Sequence, residues 1–160
     1  MTPGPPAMRL HHVSLTTENL ERLRRFYSEH FGFETALEAE WDAGTEVADR
    51  IYGLRDTAVR MCLLRLGSVF LEVFEFRSPR GARAPGLPQV NTPGYTHLCL
   101  QVADIEAEYR RLSAAGMSFT CPPQTLRGWC KATYGRDPDG NLIELLEPVP
   151  GSVFDPDHAA

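Results

Sequence analysis

The sequence has no long hydrophobic run, no excess of basic residues and almost no lysine. No apolar stretch reaches about 18 residues, the length that a membrane-spanning helix requires. Sixteen Lys and Arg residues stand against 21 Asp and Glu, and this net charge of -5 argues against nucleic acid as a partner, because a phosphate-binding surface needs a basic excess. The first nine residues also lack the apolar core of a signal peptide. We therefore expect a soluble, cytoplasmic protein.

The four cysteines show no CxxC spacing of the kind that holds a structural metal or a redox disulfide. Each lies in or beside a strand-like apolar stretch, where a small buried thiol is the common interpretation. A chain of this length buries about 68 to 70% of the surface that it exposes when unfolded, so its core requires neither a disulfide nor a metal. Any metal ion is therefore expected to serve chemistry.

Proline and glycine are concentrated in three stretches that cannot form regular helices or ladders. These stretches mark two terminal tails and a linker between two modules. We predict a flexible tail over 1–8, a first module over 9–76, a linker over 77–95, a second module over 96–148 and a C-terminal tail over 149–160. Residues 9–148 are expected to form one domain.

The two modules repeat each other. His12 of HHVSLTTENLERLRRFY aligns with His97 of THLCLQVADIEAEYRRL, and the alignment continues without a gap. Each segment begins with alternating apolar and polar residues, which predicts a strand, and then changes to helical spacing. The expected helix caps are Asn19 and Asp104 at the N-termini and Gly32 and Gly116 at the C-termini.

The ends of the modules also match, because VFLEVFEF aligns with NLIELLEP and places Glu72 over Glu144. Each segment follows a hairpin signal, a two-residue Gly67-Ser68 turn in the first module and Asp137-Pro138-Asp139-Gly140 in the second. If these turns set the register, Leu63 faces Glu72 and Thr133 faces Glu144.

The pattern predicts an α+β fold of two tandem β-α-β-β-β modules. The second strand of each module is weakly marked, at about 35–41 and 118–121, and residues 43–56 match no element clearly.

Each module supplies one histidine on its first strand and one glutamate on its last. A pseudo-twofold packing of the modules would bring His12, Glu72, His97 and Glu144 to one concave surface. Two imidazoles and two carboxylates suit a divalent ion such as Zn, Ni, Co, Mn or Fe(II), with positions left for water or substrate. Any one of the four, taken alone, is more often an ordinary polar residue. The repeat favours a metal site, because isolated carboxylates in a cupped sheet are costly.

His11 competes with His12 for the first ligand position. His11 is expected to share the face of Val13, which must cover the helix, so His12 is favoured. His30, at a helix end, and His158, in the tail, have no counterpart in the repeat.

These motifs resemble the vicinal-oxygen-chelate superfamily, which includes glyoxalase I, methylmalonyl-CoA epimerase, extradiol dioxygenases and the bleomycin and fosfomycin resistance proteins. The most specific segments are LHHVSLTTENLERLRRFYSEHFGFE, THLCLQVADIEAEYRRLSAAG and GRDPDGNLIELLEP, and the resemblance covers about residues 9–148. It implies modules whose sheets form a partly closed mixed β-barrel around the metal, often in a homodimer. The family's ligand positions fall on His12, Glu72, His97 and Glu144.

The resemblance leaves several functions open. It implies a metal-dependent enzyme or a protein that sequesters an antibiotic or another natural product, and the intact ligand set favours the enzyme. An extradiol dioxygenase would use His12, His97 and Glu144, but Glu72 as a fourth ligand counts against ring cleavage.

We expect a glyoxalase-type lyase or isomerase that acts through a metal-stabilised enolate on a small substrate with adjacent oxygens. The resemblance implies that Glu144 and Glu72 move the proton. An isomerase like methylmalonyl-CoA epimerase is the alternative.

A largely apolar wall is expected around the metal. Its predicted residues are Met61, Leu63, Phe70, Phe74, Trp129, Leu142 and Leu146. Lys131 and Thr133 are expected on the same inward face, where Lys131 either meets an anionic group or remains a solvated strand-end lysine. The expected partners are a small-molecule substrate and a second copy of the chain, whose edge strands need covering. The sequence does not decide whether one chain or a dimer completes the site.

Overall fold

Two four-stranded sheets, one in each half of the chain, make up the fold. The computed structural model describes residues 9–82 and 86–157, which divide into two compact units within residues 1–82 and 83–160. The first unit contains β1 (His12–Thr16), α1 (Leu20–Phe31), β2 (Glu34–Trp41), α2 (Glu46–Tyr52), β3 (Ala58–Leu66) and β4 (Val69–Ser78). The second contains β5 (His97–Gln101), α3 (Ile105–Ala114), β6 (Gln124–Leu126), β7 (Cys130–Arg136) and β8 (Leu142–Pro148).

The two sheets share one topology. The strand orders are β1-β4-β3-β2 and β5-β8-β7-β6, with the first strand parallel to the last and the other neighbours antiparallel. The prediction of two β-α-β-β-β modules is confirmed. Each sheet is open at both edges, so the described strands do not close either sheet into the expected barrel. The short helix α2, which the sequence pattern left unassigned, is an addition in the first module.

The predicted tail over 1–8, residues 83–85 of the linker and the last three residues, with His158, lie outside the described residues. None of the helices in the described part is long and apolar enough to cross a membrane.

Each main helix begins at the predicted cap. The Asn19 side chain accepts the Arg22 N–H at 3.0 Å, and the Asp104 side chain accepts the Ala107 N–H at 2.9 Å. Helix α1 ends at Gly32, which has a left-handed φ of 73°. In α3 the left-handed residue, Gly116, lies one position beyond the helix cap.

The helices cover one face of each sheet. Helix α1 contacts β3 and β4, and α3 contacts β8. Leu23 and Tyr27 of α1 are fully buried, as are Ile105 of α3 and Ile143 of β8. Each such side chain contributes about 1.5 to 3 kcal/mol of burial free energy. The opposite face of each sheet is therefore available for polar groups.

A second pair of repeat-related glutamates ties each last strand to its helix. The Oε2 atom of Glu75 accepts the Leu20 N–H, and that of Glu147 accepts the Ile105 N–H, both at 2.8 Å. These contacts satisfy otherwise free N–H groups at the positive ends of the helix dipoles. Glu75 and Glu147 thus stabilise the fold on the helical face.

The first hairpin has the predicted register. Gly67 and Ser68 link β3 to β4, Gly67 has a φ of 58°, and Leu63 lies opposite Glu72. This confirms the predicted placement of Leu63.

The register predicted for the second hairpin is wrong by one residue. Tyr134 lies opposite Glu144, and Thr133 lies opposite Leu145. The Gly140 N–H bonds to the Asp137 carbonyl at 2.9 Å, and the Asp137 N–H bonds to the Asn141 carbonyl at 3.0 Å. Because Gly140 has a φ of 88°, it forms a bulge that adds one residue to the expected turn.

The second strand of the second module also differs from the prediction. Residues 118–121 form only an isolated bridge, Phe119 to Gly135, and the ladder resumes at Gln124. Pro122 and Pro123 supply no backbone N–H, which explains the interruption. In the first module the predicted strand over 35–41 corresponds closely to β2.

Candidate metal centre

The first module places one histidine beside one glutamate on the face away from α1. His12 lies on edge strand β1 and Glu72 on the neighbouring β4, where Ser14 and Leu63 flank it. The Nε2 atom of His12 is 3.4 Å from Oε2 of Glu72, and the two side chains are 40% and 18% exposed. A nitrogen and a carboxylate oxygen thus converge at a partly open position.

The second module repeats this arrangement. His97 lies on edge strand β5 and Glu144 on β8, between Cys99 and Tyr134. The Nε2 atom of His97 is 3.2 Å from Oε2 of Glu144, with the side chains 30% and 14% exposed. Two ligands about 2.0 to 2.2 Å from a shared ion lie about 3.0 to 3.4 Å apart, so both pairs have a separation suited to coordination.

The remaining nitrogen of each imidazole contacts the residue that precedes it. His12 Nδ1 is 2.8 Å from His11 Nδ1, and His97 Nδ1 is 2.8 Å from Thr96 Oγ1. Such contacts fix ring orientation and tautomer in metal-binding histidines. In both modules Nε2 is therefore the nitrogen directed at the carboxylate.

His11 does not occupy the face that the strand pattern predicted. It precedes β1, so strand alternation does not govern its direction, and its ring stacks on Phe70 with centroids 5.0 Å apart. Phe70 lies on the same face as Glu72. His11 is consequently a neighbour of His12 rather than a residue of the helical face.

Glu144 has two side-chain partners that the sequence analysis missed. Burial, the charge of Glu144 and a hydrogen bond to it raise the pKa of Tyr134 to about 12. The same influences raise the pKa of the Cys99 thiol to about 12. Both groups are therefore protonated near neutral pH and can donate to the carboxylate. Placing Tyr134 opposite Glu144 required the extra turn residue that Gly140 provides, and the hydrophobic pattern does not indicate that residue.

Glu72 has a more apolar environment. Leu63 occupies the position that Tyr134 has in the second module, and an aromatic cluster from β2, α2 and β4 includes Phe74, two residues beyond Glu72. Its members are Trp41, Tyr52, Phe74 and Phe76. Burial, and after it the charge of Glu72, raises the pKa of Tyr52.

The predicted wall residues fall into three groups. Those on the same sheet faces as the candidate ligands are Met61, Leu63, Phe70, Phe74, Leu142 and Leu146. Trp129 precedes β7 and is 42% exposed, with the Arg127 guanidinium 5.8 Å from its ring centroid.

In the observed register the third group, Lys131 and Thr133, lies on the sheet face that packs against α3 and not on the face of Glu144. Lys131 Nζ lies 3.0 Å from Glu147 Oε1, and Thr133 is buried, donating to the Cys121 carbonyl at 2.6 Å. The prediction that they share an inward face with Glu144 is wrong because the bulge reverses the facing of β7.

Each pair has donor atoms of the kind that bind divalent ions, but each is smaller than a complete metal site. In the described parts of the chain no group of three or more His, Cys, Asp and Glu side chains is suited to hold a metal. Each module supplies one nitrogen and one carboxylate donor. Zinc sites normally have at least three protein ligands, so one pair alone is insufficient. The imidazole and carboxylate donors of each pair are chemically suited to a divalent metal.

The chain belongs to the Glyoxalase/Bleomycin resistance protein/Dioxygenase superfamily, whose family model matches residues 9–145. This confirms the resemblance that the sequence motifs indicated. Among curated relatives, the chain is 32% identical over 158 residues to the 2-epi-5-epi-valiolone epimerase of Actinomyces sp., covering 94% of this chain and 85% of that protein.

Two further relatives extend the comparison. A human 4-hydroxyphenylpyruvate dioxygenase-like protein is 32% identical over 149 residues, which cover 89% of this chain and 35% of that protein. The crystal structure of a glyoxalase family protein from Bacillus cereus matches with a TM-score of 0.81 and 24% identity, covering 93% of this chain and 99% of that one. The structural match establishes the fold.

Proposed function

We propose that this protein is a divalent-metal-dependent isomerase or lyase of the glyoxalase type. It would move a proton between positions on a small substrate that binds through adjacent oxygens. The observation that carries this proposal is the pair of repeat-related contacts, His12 with Glu72 and His97 with Glu144. The relationship to a named epimerase over most of the chain favours isomerisation.

Four atoms would hold the ion: Nε2 of His12, Nε2 of His97 and one oxygen each of Glu72 and Glu144. When bound, the ion would act as a Lewis acid that polarises the substrate oxygens and makes the neighbouring C–H bond more acidic. The carboxylates of the chain would transfer the proton. One glutamate oxygen would accept the proton from carbon, and a glutamate would return it to the same or the adjacent carbon.

The surrounding side chains support this role by excluding water. Met61, Leu63, Phe70 and Phe74 form apolar surface on the face that carries Glu72. Apolar surroundings lower the local dielectric constant, which strengthens the electrostatic interaction of a carboxylate with a bound cation.

A homodimer belongs to the same proposal. Strands β1 and β5 are edge strands and carry the two histidines. A second copy would cover exposed edges, and the four ligands would come together within one chain or across two. Light scattering at micromolar concentration tests the dimer, and a strict monomer would exclude a site shared between chains.

Ring cleavage by an extradiol-type dioxygenase is the second candidate, because the superfamily includes dioxygenases. His12, His97 and Glu144 would supply its two imidazoles and one carboxylate. Glu72 counts against it, because a fourth protein ligand occupies a position that catechol and dioxygen together require.

The decisive experiment combines metal analysis with proton exchange. After extensive dialysis we expect about one divalent ion per chain. In heavy water, the loaded protein should exchange the α-proton of an α-hydroxy ketone, a hemithioacetal or an acyl thioester, and removal of the metal should abolish exchange. Oxygen consumption with catechols in the absence of exchange would favour the dioxygenase. Failure to retain any divalent metal would favour a sequestering protein.

A further inference from the structure

Tyr134 contacts both members of the second His–Glu pair. It lies directly opposite Glu144 across the β7–β8 ladder, so its side chain shares the face of that glutamate. Its ring packs edge-on against the His97 imidazole, with centroids 5.2 Å apart and an interplanar angle of 83°. Its hydroxyl interacts with the Glu144 carboxylate, whose charge helps to raise the pKa of Tyr134. One side chain therefore constrains both the nitrogen and the oxygen donor.

The first module has a different residue at the position equivalent to Tyr134. Leu63 occupies the corresponding position and offers Glu72 no donor. There, His12 is instead flanked by His11, whose ring packs edge-on at 5.1 Å. The two modules match in their candidate ligands but differ in what supports them.

We propose that Tyr134 is a positioning residue that fixes Glu144 for metal coordination. This inference rests on the proposed metal-dependent function. A glutamate on a strand rotates about three side-chain bonds, and each free rotamer lowers the fraction of molecules ready to bind the ion. The hydroxyl holds the carboxylate so that Oε2 stays directed at His97 Nε2. Partners of this kind commonly contribute about 10- to 100-fold in metal affinity.

The test is Tyr134→Phe, which keeps the ring contact with His97 and removes only the hydroxyl. Titration calorimetry with Co²⁺ should show an affinity about 10- to 100-fold weaker than in the unchanged protein. The ligand-field absorption of bound Co²⁺ should also shift, because the carboxylate is no longer held in one orientation. Circular dichroism and the melting temperature of the metal-free protein serve to show that the fold is kept.

Tyr109→Phe is the matched control. Tyr109 lies on α3 and packs against Phe119 with ring centroids 5.0 Å apart. Removal of its hydroxyl should leave Co²⁺ affinity and absorption unchanged.

The variants His97→Ala and Glu144→Ala distinguish a failure of the positioning role of Tyr134 from a failure of the metal site itself. If both variants lose Co²⁺ affinity while Tyr134→Phe binds as tightly as the unchanged protein with the same spectrum, the positioning role is overturned and the metal site stands. If neither ligand variant weakens Co²⁺ binding, the metal site itself is wrong, and the role of Tyr134 falls with it.

Discussion

The Nε2 atom of His97 lies 3.2 Å from Oε2 of Glu144, and the same two atom types meet in His12 and Glu72, 85 and 72 residues earlier in the chain, at 3.4 Å. Two such contacts in repeat-related positions form the basis of the proposed metal centre.

Replacement of His97 by Ala should sharply reduce the divalent metal retained after dialysis. One of four proposed donors is lost, while the partly exposed side chain contributes little to the core. Metal content by elemental analysis and secondary structure by circular dichroism check this result. His30→Ala is the control, because His30 lies on α1 and packs against Phe26. Full metal content in the His97 variant would remove this residue from the site.

Glu144→Gln should keep much of the metal and lose about 100-fold or more of the turnover, the usual scale of general acid-base catalysis. The amide oxygen still coordinates, but the amide no longer accepts a proton from carbon. Turnover and α-proton exchange in heavy water should fall together. Glu106→Gln, on α3, is the control and should change neither rate.

Glu147→Gln should destabilise the fold by about 1 kcal/mol near pH 7, because the carboxylate interacts with the N-terminus of α3. The Ile105 N–H, followed by Lys131, lowers the pKa of Glu147 below its ordinary value of 4.5. The ionised form is therefore favoured in the folded state. The stabilisation by the ionised Glu147 carboxylate is fully present above the pKa that this group has in the unfolded chain. It is lost as the pH falls through the lower pKa of the folded protein.

Urea denaturation of the Glu147→Gln variant and the unchanged protein, from near pH 7 down to about pH 3, measures this difference. The two free energies of unfolding should converge in acid. A difference that stays constant over the whole range would show that the charge of Glu147 is not the cause.

The cysteines should differ in reactivity despite similar positions at the surface. Cys99 and Cys121 are both exposed. Although the residue has exposed surface, desolvation of the Cys99 thiol and the charge of Glu144 raise its pKa to about 12, so its thiolate is scarce at mildly alkaline pH. Iodoacetamide labelling of the metal-free protein, followed by mass spectrometry, should modify Cys121 first. Glu144→Gln should speed the labelling of Cys99. Equal rates for both cysteines in the unchanged protein would contradict this account.

The repeat made much of the fold predictable. Cap residues such as Asn19 and Asp104 are recognised locally, and the strand pattern before them places His12 and His97 on equivalent edges. The first hairpin was also predictable, since Gly67-Ser68 allows one simple two-residue turn. These features depend on interactions between residues close in sequence, which is why the sequence pattern indicated them.

The remaining features depend on geometry that the pattern does not encode. The bulge at Gly140 adds one residue and thereby exchanges Thr133 for Tyr134 opposite Glu144. His11 precedes its strand, so the alternation of side chains does not extend to it. Helix α2 is only seven residues long, too short for a clear periodic pattern, and its Tyr52 packs within the aromatic cluster.

The last strand of each module carries two glutamates three residues apart, which therefore point to opposite faces of the sheet. In β8, Glu144 belongs to the candidate centre, and Glu147 anchors the start of α3. A slip of one residue would withdraw the carboxylate from the helix and from the centre at the same time. The misaligned strand is consequently less stable, and it also loses the contact between His97 and Glu144. The interactions that favour the folded state therefore also place Glu144 beside His97.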